Sequence, residues 1–225
     1  MFLSSGCKTI DALLKGGLLT GEVTVVYGEA ETGKTTLAIQ TAIETIRRGF
    51  KVFFIDTDGA FSHKRFMQLA ERDTDTVSEQ FLLFSPESFS AQTGLIENIE
   101  NYLTPPVRMI VIDSFTSQYR ASLGSAEQTY VLNRELNRQL AYLKEIATRQ
   151  PLAVLLTSQV HAKMSFPFGR TEPVAHRTLS HWAQTIIRIT PLQGPLRAVT
   201  VERLRNQPAS NRGTVRLTAR GMEDK

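Results

Sequence analysis

Only one cysteine, Cys7, and one tryptophan, Trp182, occur among the 225 residues. A lone cysteine excludes an internal disulfide and suits a reducing cytoplasm, so a cytoplasmic protein is expected. Long apolar runs are missing as well. The longest are Val23–Tyr27, Met109–Ile112 and Leu152–Leu156, far short of the roughly 20 residues that cross a bilayer. Residues Met1–Gly6 carry neither a charged n-region nor an apolar h-region and are not read as a signal peptide. Low-complexity segments and internal repeats are absent, and no linker is long enough to separate a second domain. Charge is nearly balanced, with 26 Lys and Arg against 22 Asp and Glu. The imbalance is local: Phe168–Lys225 holds ten basic residues against Glu172, Glu202, Glu223 and Asp224. That excess suits either a phosphate backbone or a solvated strand face.

What is present reads as alternating strands and helices. Val23–Tyr27, Lys51–Asp56, Phe81–Phe84, Met109–Asp113 and Leu152–Gln159 are short apolar strands. Thr35–Arg48 reads as a helix, with Leu37, Ala38, Ala42 and Ile46 on one face and Gly49 at its C-terminal end. Further helices are expected over His63–Arg72, Ser90–Leu103 and Ala126–Thr148, the last with Leu132, Leu136, Leu140, Leu143 and Ala147 as its buried stripe. Val160–Thr178 is polar and reads as a mobile loop. Thr185–Thr190, Leu196–Leu204 and Gly213–Arg220 follow without helices and read as antiparallel strands at the sheet edge. The expected fold is therefore α/β: a mainly parallel central sheet flanked by helices, with antiparallel C-terminal strands.

Gly28-Glu29-Ala30-Glu31-Thr32-Gly33-Lys34-Thr35 fits the phosphate-loop pattern G-x-x-x-x-G-K-[ST] between a strand and a helix. The glycines let backbone N–H groups turn toward phosphate oxygens, and the helix start adds its positive dipole end. Lys34 would reach the β- and γ-phosphates of ATP, and the Thr35 hydroxyl would ligate Mg²⁺. Thr36 is counted in the same cradle. Glu29 and Glu31 offer the phosphates only their backbones. Arg108–Ser114 supplies the complementary Walker B strand: four apolar residues, then Asp113, which holds Mg²⁺ through water.

Four further segments, in order, resemble the RecA/RadA recombinase family. These are Ser5–Gly17, Phe54–Phe61, Asp113–Arg120 and Leu156–Val160. The likeness runs from Ser5 to about Asp224 and is closest to the short archaeal paralogs of RadA. It implies one RecA-like P-loop ATPase core over residues 1–225, without the helix-hairpin-helix domain or protomer-docking motif that precede the core in RadA. It also implies roles. Asp58 stands where the family has the glutamate that polarises the attacking water, one methylene shorter, so hydrolysis is expected to be slow. Gln159 stands at the γ-phosphate sensor that is coupled to the DNA loop. Arg65 stands where an arginine stacks on adenine, its alternative being a solvated helix charge. Arg120 begins the first DNA loop, and His161, Lys163 and Arg170 lie in the second, with Phe166 and Phe168 able to stack on bases or to pack the loop down. Arg203 and Arg205 suit a neighbouring subunit's nucleotide, a phosphate backbone or solvent. The four histidines show no metal-ligand spacing.

The implied function is a DNA repair and homologous recombination accessory protein. It would bind ATP, Mg²⁺ and single-stranded or branched DNA and hydrolyse ATP weakly. It would assist a RadA-type recombinase or a Holliday-junction nuclease, as a possible homo-oligomer, without exchanging strands. The alternative is a KaiC-like regulatory ATPase or ATP switch that binds protein partners and no DNA.

Overall fold

The computed structural model describes residues 1–103, 106–162 and 171–225, leaving aside the side chains of Arg72, His161, Ala162 and Thr171. Two short strands, β1 (Phe2–Leu3) and β2 (Leu18–Leu19), pair around α1 (Lys8–Leu13). The chain then alternates through β3 (Val23–Gly28), α2 (Lys34–Arg47), β4 (Lys51–Asp56), α3 (His63–Ala70), α4 (Thr74–Gln80), β5 (Phe81–Phe84), α5 (Phe89–Glu97) and β6 (Val107–Asp113). Next come α6 (Ser117–Ala121), α7 (Ala126–Arg149), β7 (Ala153–Ser158), β8 (Val160–Ala162), β9 (Thr171–Pro173) and α8 (His176–Trp182). Four strands end it: β10 (Thr185–Pro191), β11 (Leu196–Leu204), β12 (Gln207–Thr218) and β13 (Gly221–Asp224).

One nine-stranded sheet carries the fold, in the order β13-β12-β11-β10-β3-β7-β6-β4-β5. Six neighbours, from β10 to β5, run parallel. Successive residues of a strand face opposite sides, and the sequence uses both. Val26, Phe54, Val111 and Leu155 pack with Leu37, Ala38, Ala42 and Ile46 of α2. Val25, Phe53, Ile110 and Val154 pack with Leu136, Leu140, Leu143 and Ile146 of α7. A strand buried on both faces cannot alternate polar and apolar residues, which is why these strands read as continuous apolar runs.

Several expectations change. The run at Thr185–Thr190 is not an antiparallel addition. As β10 it is the last parallel strand, with Thr185 opposite Thr24 of β3, and only β11, β12 and β13 are antiparallel additions. The last run, Gly213–Arg220, is the second half of β12, which begins at Gln207, and a further strand, β13, follows the turn after Thr218. The helix expected over Ser90–Leu103 stops at Glu97, where the Asn98 side chain donates to the Gly94 carbonyl (2.8 Å), and a 3-10 turn follows over Ile99–Tyr102. Helix α4 went unexpected because Val77 is its only buried residue, too little for a periodic signal. The Val160–Thr178 segment read as loop contains β8 and β9, paired antiparallel from Val160–Pro173 to Ala162–Thr171, and the start of α8. No described helix is long and apolar enough to cross a membrane.

Candidate nucleotide and DNA site

The C-terminal ends of β3, β4, β6 and β7 meet along one rim of the sheet, where open α/β folds build their sites. Asp56 and Asp113 are register partners there. Two glycines make the phosphate loop possible. At Gly28, a Cβ would lie 2.2 Å from the Ile189 carbonyl oxygen. Gly33 has φ 96°, and a Cβ there would lie 2.7 Å from Met222 Cε. Helix α2 begins at once with Lys34 and Thr35. Glu29 and Glu31 are exposed, while Thr32 and Lys34 are buried. Lys34 Nζ donates to the Glu29 carbonyl at 2.7 Å, and Thr32 Oγ1 donates to the same oxygen at 2.9 Å. A cation thus sits inside the loop. Burial pushes its pKa down, and the nearby carboxylates of Asp113 and Asp58 oppose the shift.

Asp113 is 5% exposed. Burial raises its pKa. Hydrogen bonds from the hydroxyls of Thr157 and Thr35 counter the rise, and the charges of Asp58 and Asp56 add to it. The Thr35 hydroxyl therefore lies near enough to the Asp113 carboxylate to lower its pKa. Mg²⁺ takes few protein ligands and completes its shell with phosphate oxygens and water. This two-residue donor set fits that requirement, and among the described residues no cluster of three His, Cys, Asp or Glu offers a fuller cage.

Asp56 and Asp58 divide the work of their turn. Asp56 is buried and accepts from the backbone N–H groups of Ala60 (3.2 Å) and Phe61 (3.0 Å), so it shapes the turn. Asp58 lies at the exposed mouth, near enough to Lys34 and Asp113 to shift both. Its own pKa is raised, first by desolvation and then by Asp56, against hydrogen bonds from the Ser114 backbone and the Ser117 hydroxyl. The Ser117 bond measures 3.4 Å. Thr57 anchors Asp58: its N–H donates to the Asp113 carbonyl (3.0 Å), its hydroxyl to the Ser114 carbonyl (2.5 Å), and its own carbonyl accepts from Gln118 Nε2 (2.6 Å).

Gln159 follows β7, and its side-chain oxygen accepts from Arg120 Nη1 at 3.2 Å. The residue read as the sensor and the one read as opening the first DNA loop are thus brought into contact. Strand β8 places His161 opposite Glu172, though the His161 side chain, Lys163, Arg170, Phe166 and Phe168 lie outside the described residues. Arg65 is not a solvated charge. It donates to the Thr218 carbonyl (2.8 Å) and to that of Ala219, at the turn between β12 and β13.

Arg203 and Arg205 do not face solvent freely either. Arg203 donates to the carbonyls of Ser180 and Ala183, and Arg205 to those of Leu14 and Lys15 while lying over the Phe2 ring. Sequence reading missed Thr157, which holds Asp113, and Arg197, whose Nη2 reaches the Glu31 carbonyl of the phosphate loop at 3.4 Å. Thr157 carried a signal, a hydroxyl ending an apolar strand beside the Walker B strand. Arg197 carried none, since its approach depends on how β11 is placed.

Comparison with known proteins agrees with this arrangement. The family described as Rad51 matches residues 1–225. The chain is 37% identical over 226 residues to the DNA repair and recombination protein RadB of Thermococcus gammatolerans, covering 99% of this chain and 98% of that protein. It is 32% identical over 220 residues to the RadB of Methanococcoides burtonii, covering 98% and 96%. A crystal structure of the RadB recombinase superposes with a TM-score of 0.85 at 36% identity, covering all of both chains. A RecA-like sheet, a phosphate loop facing a Walker B aspartate and full-length similarity together show that the chain belongs to the Rad51 family and, within it, to the RadB proteins.

Proposed function

We propose that this RadB-family chain is an accessory factor of DNA repair and homologous recombination that binds DNA under the control of ATP and Mg²⁺. In this reading it assists or regulates a RadA-type recombinase or a junction nuclease and does not itself exchange strands. One observation carries the nucleotide part: Lys34, Thr35 and Asp113 converge at the foot of a Gly28–Gly33 loop whose conformation only glycine tolerates at two points. Lys34 holds the β- and γ-phosphates in place of the Glu29 carbonyl. Thr35 and Asp113 hold Mg²⁺, which supplies charge neutralisation at the phosphates. Asp58 orients the attacking water and accepts its proton. The in-plane bonds of Arg65 leave a guanidinium face suited to stacking on adenine. Arg120 and the segment between β8 and β9 are the DNA-facing elements.

The test is single-stranded DNA binding at two salt concentrations, with and without ATP and Mg²⁺. Binding that strengthens with ATP and weakens steeply with salt is expected, because neutralised phosphates release counterions. Absence of binding under every condition would sink the DNA assignment.

Asp58 favours one second reading, an ATP switch with little turnover that binds protein partners and no DNA. Its carboxylate is one methylene shorter than the family's glutamate, and an ångström of misplacement costs about a hundredfold in rate. Asp58→Glu is therefore expected to raise hydrolysis roughly ten- to hundredfold. A variant no faster than the parent removes geometry at this position as the cause of slow turnover.

A further inference from the structure

Arg120 and Gln159 come from different elements, yet their relative position is fixed by three bonds. The Phe115 N–H donates to the Thr157 carbonyl at 2.9 Å, the hydroxyls of Thr116 and Ser158 bond at 3.0 Å, and the Arg120 N–H donates to the Thr116 carbonyl at 3.0 Å. On the other side, the Gln159 carbonyl accepts from the Val174 N–H at 3.0 Å, so the backbone of Gln159 is held as well. The freedom left to Gln159 lies in its side chain. Its amide has two ends of opposite character, an accepting oxygen and a donating NH₂.

Arginine has donors only. An amide in contact with Arg120 must therefore turn its oxygen to the guanidinium, as the 3.2 Å bond from Nη1 shows. Its NH₂ group is then the end left without a hydrogen bond among the described residues. An uncharged amide can recognise a terminal phosphate only through its N–H donors. The flipped amide would present oxygen to phosphate oxygen and read nothing. Without Arg120, the amide would distribute between both orientations.

We infer that Arg120 is a positioning residue for nucleotide sensing: it fixes the amide of Gln159 with its NH₂ end free, so that the pair distinguishes ATP from ADP. The inference rests on the reading of Gln159 as γ-phosphate sensor and gives Arg120 a task that exists in the absence of DNA. A merely DNA-contacting Arg120 would have no such task.

The experiment is done without DNA, by calorimetric titration of the full chain with Mg²⁺ and either ADP or the β,γ-imido analogue of ATP. The parent is expected to prefer the triphosphate. Arg120→Ala is expected to lose roughly three- to tenfold of that preference, the net scale of one ordinary hydrogen bond, with ADP affinity unchanged. Gln159→Ala should lose the same preference, and the double variant should be no worse than Gln159→Ala alone, since the two residues act as one unit. Arg120→Lys, still a donor-only cation, should keep part of it.

Full preference in Arg120→Ala together with loss in Gln159→Ala overturns the inference, as do losses that add in the double variant. Where Arg120→Ala fails to fold, Gln159→Glu decides: it pairs with Arg120 but has no donor, and retained preference overturns the inference. A parent that binds both nucleotides equally overturns it together with the sensor reading. A parent that binds neither strikes the proposed function itself.

Discussion

At the scale of single residues, the site is held together by charges that the folded chain tolerates poorly. Burial raises the pKa of Asp113 by more than the hydrogen bonds from Thr157 and Thr35 lower it, and the charges of Asp58 and Asp56 add smaller upward pushes. A carboxyl whose folded pKa is raised stabilises the fold below its ordinary range and loses that contribution as the pH rises through the folded value. Ionising Asp113 as the pH rises therefore costs stability in the nucleotide-free protein. Asp113→Asn removes the charge at nearly constant shape, and its amide can still accept from Thr157. The expected outcome is a nucleotide-free melting temperature higher by about 2–4 °C, the shift that about 1 kcal/mol gives a domain of this size, together with loss of the added stability from Mg²⁺ and ATP. A lower melting temperature in the variant would show that the hydrogen bonds outweigh the burial. The residues involved differ in how readable they were. Lys34, Thr35 and Asp113 sit in motifs whose spacing is itself the signal. Asp58 and Gln159 were readable only by likeness to the family. Thr157 acts across two strands and left only a faint mark, a hydroxyl ending an apolar strand, while Arg197 reaches from β11 to the phosphate loop through a contact no local pattern records.

At the scale of elements, the nucleotide helix is tied to the end of the chain. Gln40 on α2 is buried and forms a paired contact with the backbone of Met222 in β13: its oxygen accepts from the Met222 N–H at 2.8 Å, and its NH₂ donates to the Met222 carbonyl at 3.1 Å. Gly221 beside it has φ 120°, and a Cβ there would lie 2.4 Å from Gln40 Oε1. The hairpin of β12 and β13 also supplies the Leu217 and Met222 side chains under Gly33. Gln40→Glu keeps the shape but sets an acceptor against the Met222 carbonyl. We expect a loss of about 2–4 kcal/mol in chemical denaturation, from one orphaned carbonyl and one buried charge. A change within a few tenths of a kcal/mol would mean that the hairpin is held by its apolar contacts alone. The nonlocal character of this tie explains what the sequence concealed. Strands β3, β4, β6 and β7 and helices α2 and α7 were legible because each carries its own periodic apolar signal. The hand-over from parallel to antiparallel at β10 was not, because an isolated strand carries no mark of its neighbour's direction. Helix α4 and the β8–β9 pair failed for want of buried residues or of length.

At the scale of the whole molecule, the question is where a polyanion would lie. A net charge of +4 spread over 225 residues is too weak a field to choose a face. The basic excess after Phe168 looked like the answer, but the structure spends part of it internally. Arg197, Arg203 and Arg205 donate to main-chain carbonyls, so their charges brace the β10–β12 region against the phosphate loop, α8 and the turn after α1. Arg212 and Arg216 of β12 are exposed two strands beyond β10, whereas Arg120 is exposed beside the rim that carries the nucleotide site. Coupling between ATP and DNA requires the two ligands to bias one connected element. Arg120, bonded to Gln159, meets that requirement, whereas the outer strands reach the phosphate loop through Arg197 and Leu217 and, among the described residues, no hydrogen bond ties the Arg212 or Arg216 side chain to it. The slope of log affinity against log salt measures the phosphates engaged, at about 0.7 per phosphate on a single strand. Arg120→Ala is expected to reduce that slope by about 0.7, the share of one phosphate, and to lower the gain in DNA affinity that ATP brings. The paired variant Arg212→Ala with Arg216→Ala is expected to leave both unchanged. The reverse pattern would move the DNA to the β11–β12 face and leave Arg120 with its amide-positioning task alone.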